Sequence, residues 1–178
     1  MAFFMLISCS SLNQIVEINN STHALHRMKL SQNLDSNSSR KSGNILVNQF
    51  FKTKINFIFE EKSKLNPNVS VDFQMSVPFS TGQLDSVMIL NLDNEKIRIV
   101  SSKNDSLQVA IRRFTVPVNL WTSIANSQDI QFRLYVGKEE IEIKPDLSET
   151  GKLKEFFNRA LHNYEESVPA VPEGQKKW

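Results

Sequence analysis

The residues able to do chemistry in this chain are few and scattered. One thiol, Cys9, and three imidazoles, His23, His26 and His162, are all the sequence offers a metal or covalent site besides its carboxylates. His23 and His26 stand three residues apart, a spacing that brings two side chains together on a helix. No third ligand lies near them in sequence, and no His-Glu-x-x-His is present, so a solvated pair is the expectation and no metal is called for. His162 falls on the polar side of the last predicted helix. A single cysteine excludes an internal disulfide and any multi-cysteine metal site.

Covalent hydrolysis needs a Ser, Thr or Cys beside a base and a group that orients the base. The chain has no Gly-x-Ser-x-Gly and no Ser-x-x-Lys at a predicted helix start. Ser101-Ser102-Lys103 reads as a loop, and Cys9 falls before the predicted domain. The adjacent carboxylates Glu60-Glu61, Glu139-Glu140 and Glu165-Glu166 could serve glycoside hydrolysis only if two of them faced one space. Neighbours on an extended chain point to opposite faces, so none is a dyad by itself. Asp72, flanked by Ser70 and Gln74 on one wet face, is the best isolated acidic candidate, and a solvated strand face explains it as well. Trp121 is the candidate aromatic anchor for a partner, although a place in the core beside Leu120 and Ile124 is the simpler expectation. Five glycines, none in a Gly-x-Gly, leave no nucleotide loop, so no cofactor is expected. A net charge of +2 from 21 basic and 19 acidic residues gives no phosphate track, and nucleic acid is not an expected partner. Arg112-Arg113 and the alternating Lys96 and Arg98 read as ordinary surface charge.

Cys9 has a more specific context. Residues 2–7 are apolar, Ser8 precedes the thiol, and Ser10 and Ser11 follow it. Leu6-Ile7-Ser8-Cys9 resembles the lipobox of bacterial lipoproteins: a large apolar residue, a small or apolar one, a small one, then cysteine. The resemblance implies a diacylglycerol on the Cys9 sulfur and cleavage between Ser8 and Cys9. With Ser rather than Asp after the cysteine, it implies an outer-membrane address facing the periplasm, with the membrane itself as a partner. The alternative address is the cytoplasm. Residues 1–8 then read as a truncated signal segment. Residues 9–43, rich in Asn and Ser and least patterned over 33–39, read as a polar flexible tether.

The elements that must position any site lie beyond. Alternation of apolar and polar residues predicts strands over 54–59, 69–77, 86–92, 96–100, 107–116, 131–136 and 140–143. Asp93-Asn94-Glu95 and Gly137-Lys138 predict hairpins, because Asp, Asn and Gly accept the left-handed backbone of tight turns. Residues 118–125 predict a short helix after Pro117. Leu153, Phe156, Phe157, Ala160, Leu161 and Tyr164 make one apolar stripe on a helix over 148–164. Ser148 or Thr150 is the expected cap, and Glu149 suits the positive helix end. Residues 165–178 read as a disordered tail.

The strands are linked without intervening helices, so the fold class is α+β, mainly β. The expectation is an antiparallel sandwich or roll of about seven strands over 44–164, closed by the C-terminal amphipathic helix. In outline only, the order resembles pleckstrin-homology-like barrels. The final strand, short helix, hairpin and helix of 109–161 resemble the closing part of uncharacterised bacterial envelope proteins. Two functions follow as expectations: a lipid-anchored cell-envelope binding or interaction module for a protein, glycan or lipid, or a hydrolase whose site is assembled from dispersed residues.

Overall fold

The computed structural model describes residues 12–20, 25–42, 45–61, 67–75, 84–101, 111–137 and 139–167. Nine antiparallel strands form one sheet that bends round on itself. They are β1 (Ile15–Asn20), β2 (Leu25–Ser42), β3 (Ile45–Glu61), β4 (Pro67–Met75), β5 (Leu84–Leu92), β6 (Glu95–Val100), β7 (Ile111–Val116), β8 (Ile130–Val136) and β9 (Glu139–Ile143). The order across the sheet is β6-β5-β8-β9-β2-β3-β4-β7, with β1 added on β2. The two ends of this path approach one another. At the closure the Arg112 guanidinium of β7 donates to the Leu84 carbonyl of β5, at 3.1 Å from Nε and 2.5 Å from Nη2.

The period-two patterns become one dry face. Val69, Val71 and Phe73 of β4, Leu90 and Leu92 of β5, and Phe132 and Leu134 of β8 are all buried against the inside of the curve. Asp93 and Asn94 take positive φ, 53° and 118°, in the β5–β6 turn, and Gly137 takes 60° after β8, as their residue types allow. Pro117 ends β7 and opens a single 3-10 turn, Val118–Leu120, which runs into α1 (Trp121–Asn126). The C-terminal helix α2 (Leu147–Ser167) lays Leu153, Phe156, Phe157 and Ala160 into the concave side of the sheet. Phe57 of β3 is the centre of that contact. Its ring lies 6.0 Å from Phe132, 6.2 Å from Phe156 and 6.3 Å from Phe157, in the tilted and edge-on arrangements aromatic quadrupoles favour.

Three expectations are corrected. The polar tether expected over 9–43 is folded wherever it is described: Leu12 bridges Ser31, 15–20 form β1, and 25–42 form the longest strand of the sheet. The inner face of β2 is Met28, Leu30, Gln32, Leu34, Ser36 and Ser38, all buried. Its alternation fades into hydroxyls after Leu34, so composition hides it. Backbone pairing does not depend on side chains, however, and β2 pairs with β3 continuously from His26 opposite Glu61 to Ser42 opposite Ile45. Two of the buried hydroxyls satisfy one another, Ser36 Oγ donating to Thr53 Oγ1 at 2.6 Å. The fold therefore already includes residues from Leu12 onward, ahead of the expected start at residue 44, and nine strands are described where about seven were expected. The cap of α2 is also different. Asp146 Oδ1 accepts from the Glu149 amide at 2.8 Å and Glu149 Oε2 accepts from the Asp146 amide at 2.9 Å, a reciprocal capping box. Ser148 and Thr150 are inside the helix. Finally, α2 runs on to Ser167, three residues past the expected end, while 168–178 lie outside the described residues.

Candidate functional site

A groove of about 760 Å³ runs between β1 and the outward face of α2. Its walls carry Glu17 and His26 from the sheet and Lys154, Glu155, Arg159 and His162 from the helix. The same helical repeat that sends Phe156, Phe157 and Ala160 inward sends Glu155, Arg159 and His162 outward. On β1, Ile15 packs against the core, and Glu17, two residues on, shares its side of the strand.

Arg159 organises the groove. Its Nη1 lies 2.9 Å from Glu17 Oε1 and its Nη2 2.7 Å from Glu155 Oε1, so one guanidinium ties α2 to β1. Lys152 Nζ takes the other Glu155 oxygen at 2.8 Å. These two hydrogen bonds, Lys152 first and Arg159 second, hold the Glu155 carboxyl below its ordinary range. The Glu155 bond in turn raises the Arg159 guanidinium. His162 Nε2 lies 3.1 Å from Glu166 Oε1 one turn on. His26 sets its ring edge against Phe59 at 5.8 Å. Asn163 Nδ2 reaches the Met28 sulfur at 3.7 Å. No Ser, Thr or Cys is among the described residues that line the groove. The arrangement presents a fixed alternation of carboxylate, guanidinium, ammonium and imidazole, suited to hydrogen-bonding a polar partner.

Where β1 meets β2 the sheet has a second polar feature. On the side of β2 away from β3, β1 covers 25–30 and β9 covers 36–39. Between them, at 32–35, no strand pairs with β2 on that side among the described residues. Gln32 fills the interval. Although wholly buried, its Nε2 donates to Asn13 Oδ1 at 2.9 Å and to the Glu149 carbonyl at 2.8 Å. One amide thus joins the lead-in to β1, the sheet and the first turn of α2. Its Oε1 has no hydrogen-bond partner among the described residues.

The residues singled out from sequence are spread over other places. Trp121 is fully buried, its indole donating to the Val116 carbonyl at 3.0 Å and packing edge-on between Phe59 and Tyr164, so it is part of the core. Asp72 faces outward on β4 and is held by both nitrogens of an Arg113 fork, at 2.6 and 2.7 Å, on the neighbouring strand β7. Lys96 and Arg98 are exposed. Cys9 and His23 lie outside the described residues. Nothing in the sequence marked Glu17 with Arg159, which are 142 residues apart. The one legible trace was the i, i+4 pair of Glu155 and Arg159 on the polar face of α2.

No known protein family, curated protein or solved structure matches this chain. The functional reading therefore rests on the groove, the junction at Gln32 and the sequence that precedes them.

Proposed function

We propose that the chain is a lipid-anchored protein of the bacterial cell envelope, held to the outer membrane through Cys9, and that it works as a binding module for a polar envelope partner, protein or glycan. The observation that carries this reading is the join between sequence and fold. The lipobox-like Leu6-Ile7-Ser8-Cys9 ends three residues before Leu12, the first described residue, which already bridges Ser31 of the sheet. A phospholipid would supply the diacylglyceryl group to the Cys9 sulfur, its headgroup phosphate leaving with the thiol proton, and hydrolysis of the bond after Ser8 would free the anchored domain. The groove between β1 and α2 is the surface offered to the partner.

The charge pattern supports binding over hydrolysis. In the groove, Arg159 bonds one oxygen each of Glu17 and Glu155, so neither carboxylate is free to serve as half of a dyad. Held ionised by Lys152 and Arg159, Glu155 is a poor proton donor near neutral pH.

Intact-mass measurement of the protein from its native host, with a Cys9→Ala control, tests the anchor. The expected product starts at Cys9 and carries the mass of a diacylglyceryl group, which the control lacks. An unmodified Cys9 refutes the anchored reading. Crosslinking from the groove on intact membranes, compared with an Arg159→Glu variant, tests the binding surface. The expected result is a partner captured by the native chain and lost in the variant.

A further inference from the structure

We infer that the anchor does not let the domain float: the surface bearing Leu12 and Leu147 lies directly against the lipid bilayer and fixes the domain in one orientation. This inference rests on the proposed acylation of Cys9. Covalent geometry supplies its first support. Three peptide links separate Cys9 from Leu12, so their Cα atoms stand at most about 11 Å apart in any conformation. Leu12 itself is fixed. It bridges Ser31, and the next amide, Asn13, donates to the Ser31 carbonyl at 2.6 Å. An acylated Cys9 therefore brings this part of the sheet to the depth of the lipid headgroups.

The second support is where apolar surface is left exposed. Five large apolar residues are exposed among those described: Leu12, Val16, Phe50, Val100 and Leu147. Two of them come together at this entry point. Leu12, at 38% exposure, leads into β1, and Leu147, at 93%, opens α2. Asn13 joins the two elements, donating to Ser148 at 3.4 Å as well as accepting from Gln32. A leucine held in water in the first turn of a helix buries nothing within the fold; pressed into a headgroup layer it buries its whole side chain.

Charge does not oppose the contact. Of the acidic groups around the patch, Asp35 pairs with Lys52 at 2.6 Å, and Asp146 and Glu149 each accept from a backbone amide at the positive end of α2. The patch also has no basic excess, so it calls for no anionic lipid. The occupant is the zwitterionic interface of a bilayer.

The test couples the full chain through its only thiol, Cys9, to phosphatidylcholine vesicles containing a maleimide lipid. Hydroxyl-radical labelling is then compared with the same chain capped by a small maleimide. Labelling of Leu12 and Leu147 should fall several-fold on the vesicle, while Phe50 and Val100 keep their reactivity. Moving the tether, with Cys9→Ser and Val100→Cys, should restore Leu147 to the level of the free chain. A Leu147→Asp variant, whose exposed position leaves the fold intact, should raise labelling at Leu12 on the vesicle. Full reactivity of Leu147 on vesicles coupled through Cys9 overturns the docking surface and leaves the anchor standing. An unacylated Cys9 in the native host overturns the anchor and the docking with it.

Discussion

The two halves of β2 are buried by different means. From Met28 to Leu34 its inner face lies under α2 and meets the aromatic cluster, with Leu30 opposite Phe57 in the ladder to β3. From Ser36 to Ser38 it is equally dry, yet it presents hydroxyls, and its backbone is paired with β9 as well as β3. The first half is held by the removal of apolar surface from water. The second contains a hydroxyl pair, Ser36 with Thr53, whose hydrogen bond matters because water cannot reach it. Gln32 interrupts the first half, a buried amide at the interval where, among the described residues, no strand pairs with β2 on the side away from β3. The comparison shows that a strand can be central without reading as hydrophobic, provided its neighbours complete its polar groups.

The comparison breaks most severely at Phe57. Truncation by Phe57→Ala removes the ring that Phe132, Phe156 and Phe157 surround, and urea unfolding should show a loss of about 3–5 kcal/mol. Gln32→Ala comes next. It deprives Asn13 and the Glu149 carbonyl of their donor and should cost about 1–3 kcal/mol. Unlike Phe57→Ala, it should speed amide exchange selectively at β1 and the first turn of α2. A result in which exchange quickens evenly across the sheet would mean that Gln32 is merely core filling.

In the hydroxyl half, Ser36→Ala takes the donor from the Thr53 hydroxyl, and Thr53→Val leaves Ser36 only the longer bond to the Leu34 carbonyl at 3.4 Å, each costing about 1 kcal/mol. The double variant should cost less than the sum of the two, since the polar pair is then removed together. Strict additivity would show that the pair is not coupled.

The smallest effect is a titration with two opposing signs on one helix. The Glu155 carboxyl is depressed below its ordinary value of 4.5 by Lys152 and Arg159. Its contribution is present above that value and is lost as pH falls through the folded pKa. The Glu149 carboxyl is raised, chiefly by burial. Its contribution is fully present below the unfolded value and is lost as pH rises through the folded one. Across the carboxylate range, about pH 3 to 6, Glu155→Gln should flatten the acid-side fall in melting temperature. Glu149→Gln should flatten a loss on the other side, at some expense to the cap. Both changes are small because Glu155 lies at the solvated surface, where ion pairs contribute little.

Much of the fold was legible because its signals are local. Val69, Val71 and Phe73 alternate without interruption, and Leu153, Phe156, Phe157 and Ala160 trace a helical stripe, so β4 and α2 follow from pattern alone. Asp93, Asn94 and Gly137 marked their turns by the backbone they tolerate. β2 was missed because Gln32 breaks its apolar alternation and Ser36 and Ser38 end it. What buries those residues is supplied by β3, β9 and α2, which a local pattern cannot contain. The Asp146 cap lay two residues before the predicted helix, and its reciprocal partner Glu149 was read only as a charge near a dipole. At the site, Trp121 and Asp72 were visible as residue types, but their partners, the Val116 carbonyl and the Arg113 fork, give them structural work. The groove depends on Glu17 meeting Arg159 across almost the whole chain, a meeting that no spacing announces.

The attachment of β1 to the rest of the sheet has a mechanical side. β1 lies antiparallel on β2 and enters from the end where Leu12 and Asn13 touch Ser31. Tension on the chain before Leu12 therefore loads the Asn13–Ser31 bond first and then the pairs from Ile15 opposite Leu30 onward. These yield one after another, as a seam peels, rather than all at once. Peeling residues 12–20 would release about 30 Å of extended chain. Phe57 and its aromatic neighbours, on β3, β8 and α2, lie outside that path, so this edge of the molecule can act as an extensible strap while the barrel behind it keeps its shape.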